Sequence, residues 1–173
     1  HSIILYIKMN IYLKLSDLKS NHNMIDLRDN MRYLYPKKNT IMEGEFTKIL
    51  FSKNDVTMNG LYLYLPLSAE KKIINNNNAK NEIFIRNILH SSLNNQIVQD
   101  LKLLEKCILD HYNEYTKHNK HTEYILNKQL ITNQIRVYHD NHSNRKKNKY
   151  VIKISGIWET KLKIGLTYKI MEL

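Results

Sequence analysis

Two alternating runs close the chain and limit it more than any other feature. In Tyr150-Val-Ile-Lys-Ile-Ser155, Tyr150, Ile152 and Ile154 share one side and Val151, Lys153 and Ser155 the other, because successive side chains of an extended strand point to opposite faces. Further on, Ile164, Leu166, Tyr168 and Ile170 form a second apolar side from which Thr167 and Lys169 look away. Gly156 permits a bulge or a close backbone approach just before Trp158. Lysines on one side of a strand pair, in a basic chain, suggest a sheet that faces a polyanion rather than an active site.

The same alternation recurs upstream. Glu45 to Ser52 has strand-like content, and a polar loop ending in Asn59-Gly60 leads into Leu61-Tyr-Leu-Tyr-Leu-Pro-Leu67, whose leucines share one face and whose Tyr62 and Tyr64 share the other. The leucines are expected to point inward, with Pro66 ending the strand or marking an edge. Lys71 to Asn81, with its consecutive asparagines, reads as a low-complexity loop. Glu82 to Arg86 is a short strand with Phe84 and Arg86 on one face. Ile97, Leu101, Leu104, Ile108 and Tyr112 recur at helical spacing and predict an amphipathic helix from about Leu93 to Tyr115. Tyr124 to Leu130 is ambiguous between helix and strand. Gln134 to His139 is a strand with Ile135 and Val137 inward and Arg136 and Tyr138 outward, followed by a basic hairpin loop from Asn141 to Lys149.

Strand, strand, strand, long helix, strand, strand is the element order of an oligonucleotide-binding barrel. The expected fold is therefore a β-rich α+β domain, a five-stranded barrel of that kind with one long helix between strands three and four. It occupies residues 43–173 and follows an N-terminal extension, residues 1–42. In the extension, Ile11 to Leu15 suggests a strand and Met24 to Leu34 a helix with Asn23 near its cap. The 173 residues suit one domain.

With 27 Lys and Arg against 16 Asp and Glu, the net charge is +11, a field that attracts phosphate. The heavy use of Asn, Lys, Ile and Tyr also fits a genome rich in A and T, so part of that charge reflects nucleotide bias. The one cysteine, Cys107, excludes an internal disulfide framework and a multi-cysteine zinc site. A reducing, intracellular compartment is the default. No run is long enough to span a membrane, and Ile3 to Ile7 lacks the basic leader and cleavage site of a signal peptide. Residues 1–8 precede Met9 and take no part in the expected elements.

If the strands form one outer face, Tyr62, Tyr64, Phe84 and Tyr138 are candidate stacking platforms. Lys48, Arg86, Arg136 and Lys153 lie between them for phosphate or cation–π contact. Arg145, Lys146 and Lys147 in the basic loop add sequence-independent phosphate contacts. The competing reading makes the tyrosines ordinary cross-strand pairs covered by the extension, and alternation alone leaves both open. His118 with His121, and His139 with His142, have a spacing compatible with metal but lack further ligands, so no metal and no cofactor is expected. Glu159-Thr-Lys161 matches half of a metal-dependent nuclease motif. Four glycines, at 44, 60, 156 and 165, leave neither a Walker loop nor a dinucleotide fingerprint, and no nucleophile elbow is present.

Lys153-Ile-Ser-Gly-Ile-Trp-Glu159 and Ile164-Gly-Leu-Thr-Tyr-Lys-Ile170, with Thr57 to Tyr62 and Tyr124 to Arg136, resemble proteins of large nucleocytoplasmic DNA viruses. The final strand pair is similar to the closing strands of viral single-stranded DNA-binding proteins, although no acidic C-terminal tail is present. The resemblance implies a viral protein acting in DNA replication, in the host cytoplasm or nucleus. The expected function is non-enzymatic binding of single-stranded DNA or RNA, without membrane attachment and with homo-oligomerisation left open. The alternatives are a viral assembly protein with a tyrosine-rich protein interface, and a small nuclease using Glu159 and Lys161.

Overall fold

The computed structural model describes residues 12–18, 24–38, 44–53, 55–68, 70–74, 82–86, 88–139 and 149–172. Its strands are β1 (Met31–Tyr33), β2 (Lys37–Lys38), β3 (Glu45–Lys53), β4 (Val56–Met58), β5 (Leu61–Leu65), β6 (Glu70–Ile74), β7 (Glu82–Arg86), β8 (His121–Glu123), β9 (Gln134–His139), β10 (Tyr150–Glu159) and β11 (Lys163–Glu172). The helices are α1 (Ile25–Asn30), α2 (Ser92–Thr116) and α3 (Ile125–Ile131). The molecule is thus a β-rich α+β protein built on one mixed sheet, with α2 between β7 and β8.

β10 organises the sheet. Its first half pairs with β5, Tyr150 opposite Leu65 through Ile154 opposite Leu61, and its second half pairs with β3, Gly156 opposite Lys48 through Glu159 opposite Glu45. The change of partner coincides with a bulge. Ile154 faces Tyr168 and Gly156 faces Thr167 on β11, leaving Ser155 as an extra residue. A side chain at Gly156 would meet the Thr47 carbonyl oxygen at 2.3 Å, so glycine lets β3 approach this closely. β4 and β5 are two pieces of one bent run, the first bonded to β3 and the second to β10. The bend is at Gly60, whose φ of +102° and 2.7 Å clearance from the Ile154 carbonyl oxygen both exclude a Cβ.

The expected leucine face is the core: Leu61, Leu63, Leu65 and Leu67 are buried with Ile152, Ile154, Ile157, Ile164, Leu166 and Ile170. Ile97, Leu101, Leu104, Ile108 and Tyr112 of α2 complete it as one buried stripe. The helix starts at Ser91, whose hydroxyl accepts from Asn94 N at 3.1 Å, and stops at Lys117 in a left-handed conformation with φ 59°. Asn94 is buried and clamps the chain after β5, accepting from Ser68 N at 3.1 Å and donating to Ser68 O at 2.5 Å.

Several local expectations change. The helix expected over 24–34 ends at Asn30, and Met31 to Tyr33 pair instead with Phe51 to Ile49 of β3. Pairing along an available strand edge outweighs a weak helical preference there. Leu18, Leu27 and Met31 are buried in the same core as the rest of the chain. Leu13 bridges Leu63 in parallel, and a short 3₁₀ turn, Leu15–Leu18, replaces a longer N-terminal strand. Lys71 to Ile74, expected in a loop, belong to β6 and pair with Ile85 to Glu82. The ambiguous segment after Tyr124 is helical, as α3.

The sheet follows an open path, β1-β3-β10-β11-β9-β7-β6, with β2, β4, β5 and β8 attached at its sides, and no described pairing joins its ends. This exceeds five strands, because β8 and β9 both use the second edge of β11, in parallel, where a five-stranded barrel would place one strand. No helix among the described residues is long and apolar enough to cross a membrane.

Candidate nucleic-acid interface

Because directly paired residues share a face, the register decides which side chains can act together. Tyr62 on β5 is opposite Lys153 on β10, which is opposite Lys169 on β11. Tyr64 is opposite Val151, Val151 opposite Met171, and Met171 opposite Tyr138 on β9. Arg136 is opposite Phe84 on β7, and Gln134 opposite Arg86. Lys48 reaches the same side through Gly156 and Thr167. Eight of the expected residues therefore share one outer face: Lys48, Tyr62, Tyr64, Phe84, Arg86, Arg136, Tyr138 and Lys153. Arg145, Lys146 and Lys147 lie outside the described residues, as does His142.

The face carries linked cation–π contacts. The Lys153 ammonium lies 5.1 Å from the Tyr62 ring centroid, the Lys169 ammonium 4.9 Å from that of Tyr138, and the Arg136 guanidinium 5.2 Å from the same ring. Each contact holds a ring and a cation in a fixed relation, the combination that suits a base and its phosphate. Exposure is uneven. Tyr62, Tyr64, Phe84, Arg86, Lys48 and Lys153 are half-buried and Val151 is fully buried, whereas Arg136, Tyr138, Thr167 and Lys169 are exposed. The open part of the face is therefore its β9 and β11 side. Arg86 is only partly available, because its Nε is buried without a hydrogen-bond partner among the described residues.

Three residues escape the sequence reading of this face. Lys169 was legible as outward, but its contact with Tyr138 requires knowing that β9 and β11 are neighbours. Trp158 joins the face because the bulge at Ser155 reverses the alternation of β10, and Phe46, two residues from Lys48 on β3, pairs with it there; Trp158 packs over Gly165. The signal was Gly156 itself, two residues before the tryptophan.

The opposite side of the sheet holds a different constellation. Glu159 is buried and accepts from the Tyr112 hydroxyl at 2.6 Å, from Lys120 Nζ, and from His118 Nδ1 at 3.2 Å. The Tyr112 oxygen is also 2.9 Å from the Thr47 hydroxyl. Burial opposes ionisation of Glu159, but the hydrogen bonds from Lys120 and Tyr112 outweigh it and hold the carboxyl below its ordinary range. Burial and the bond to Glu159 raise Tyr112. Glu159 is thus committed to tying β10, α2 and the loop before β8 together, while Lys161 is exposed in the β10–β11 turn. Among the described residues no group of three His, Cys, Asp or Glu converges on a metal position. Cys107 is half-buried between α1 and α2, and burial pushes its thiol above the usual value, which leaves it a poor nucleophile.

Tyrosines are not confined to the outer face. Tyr33 packs at 5.1 Å from both Tyr112 and Tyr115 and its hydroxyl lies 3.2 Å from His111 Nδ1, while Tyr150 is in the core. Comparison with protein-family models, with curated proteins and with solved structures finds no match for this chain.

Proposed function

We propose that this protein binds single-stranded nucleic acid, DNA in the first instance, on the outer face of its sheet and without catalysis. The observation that carries the reading is the contiguity of Lys153, Lys169, Tyr138 and Arg136: three cations and a ring from three strands meet on the outer face of a molecule with net charge +11. Charge supplies sequence-independent affinity for phosphates, and rings on a sheet stack on bases only where these are unpaired. The mode is that of oligonucleotide-binding folds, a curved strand platform with a helix behind it, and it needs the platform rather than a closed five-stranded barrel. On this reading the ligand is single-stranded DNA exposed during replication, in the cytoplasm or nucleus of a host if the chain is viral.

The test is a salt titration of a labelled single-stranded oligothymidylate against a duplex of equal length. Preference for the single strand, with affinity falling as salt rises, supports the proposal. Absence of binding to either at low salt overturns it.

A further inference from the structure

β8 and β9 both lie parallel to β11 on the same edge, but they cover different parts of it. β8 pairs with Lys163 to Gly165 and β9 with Met171 and Glu172. Between them the chain leaves the sheet, forms α3 and returns at Gln134. No described strand pairs with residues 166–170 on that edge, and a cleft of about 300 Å³ opens there. Its rim carries Arg136, Tyr138, Thr167 and Lys169, and its floor is formed on the α3 side by Gln129 and Tyr168, whose hydroxyl donates to the Gln129 side-chain oxygen. Among the described residues no carboxylate lines it.

We propose that this cleft receives one unstacked nucleobase of the bound strand; the inference rests on the single-strand reading and deepens it. The ligand class follows from the lining. A base needs a flat partner, which Tyr138 supplies at the mouth, and hydrogen-bonding groups for its edge. The β11 edge over 166–170 and the Gln129 amide supply these, as an interrupted strand edge offers backbone donors and acceptors that no described strand pairs with. The flanking phosphates meet Lys169 and Arg136, the two cations already held over the Tyr138 ring. The volume is at the small end of ligand pockets, roughly 300–1,000 Å³, which suits one base rather than a stacked run.

The experiment compares the affinity of the whole chain for an oligothymidylate and for an abasic deoxyribose-phosphate oligomer of the same length, at fixed low salt. It is repeated with Thr167→Tyr, which fills the cleft, and with Gln129→Leu, which removes the amide but keeps the side-chain bulk. The unmodified protein is expected to prefer the base-bearing strand by about tenfold, the scale of one stacked and bonded base. Both variants are expected to lower that ratio several-fold while abasic binding holds, with cooperative melting retained by Gln129→Leu, which also gives up the bond from the Tyr168 hydroxyl. A ratio intact in the folded variants overturns the base cleft and leaves binding by the face standing, whereas a ratio near one in the unmodified protein overturns the cleft together with ring stacking and leaves only charge. If neither oligomer binds, the single-strand reading falls with it.

Discussion

At the scale of single residues, two buried polar groups behave in opposite ways. Tyr150 is fully buried and its hydroxyl has no hydrogen-bond partner among the described residues. An unmatched buried hydroxyl costs roughly 1–3 kcal/mol, so Tyr150→Phe is expected to leave the protein as stable or about 1 kcal/mol more stable, measured by urea denaturation. Glu159 is fully engaged. Because its folded pKa is depressed, the stability it contributes is present above its unfolded value, 4.5, and is lost as pH falls through the folded value. Glu159→Gln is expected to cost about 2–3 kcal/mol at neutral pH, by weakening charged hydrogen bonds, and to flatten the acid side of the melting-temperature profile. A steep acid limb retained in the variant would assign the effect to other groups. Tyr150 was legible as inward from alternation, whereas the commitment of Glu159 to Tyr112 and Lys120 was not. Those partners lie 47 and 39 residues away, and nothing in the local triplet encodes them.

At the scale of elements, strong periods survived folding and weak ones did not. The α2 stripe, the leucine face of β5 and the alternation of β9, β10 and β11 were readable because each buries one side against a large core. β6 looks like loop in sequence because lysine and asparagine obscure a short strand that exists by pairing with β7, and α1 is shorter than its sequence suggests because β3 offers Met31 a bonded edge. α3 shows how a short helix is held. Glu105, buried on α2, accepts from Leu126 N at 2.9 Å and Asn127 N at 2.8 Å. Glu105→Ala leaves those donors unmatched and is expected to destabilise the fold by about 2 kcal/mol. It should also speed amide exchange through α3, detectable by hydrogen exchange, and loosen the Gln129 side of the cleft. Burial raises the Glu105 pKa, so its pH effect runs opposite to that of Glu159, with stability lost as pH rises through the raised value.

At the scale of the whole molecule, charge and topology act together. Lys48, Arg136, Lys153 and Lys169 share the outer face, and each phosphate neutralised on a single strand contributes roughly −0.7 to the slope of log affinity against log salt. A slope of about −3 or steeper is expected if all four engage, and replacing Lys153 and Lys169 by alanine should make it shallower by about 1.4. That four cations converge was only half legible: alternation sorts side chains by face within a strand, but neighbour order comes from long-range pairing. The bulge in β10 makes this concrete. An extra residue at Ser155 resets parity, so Trp158 joins the lysine side while Glu159 turns to Tyr112. Threaded as a regular strand, the same residues would turn the indole into the interior and the carboxylate toward solvent, whereas deleting Ser155 removes only the extra residue and keeps both on their present sides. Counting, as much as chemistry, decides which side chains this sheet turns outward.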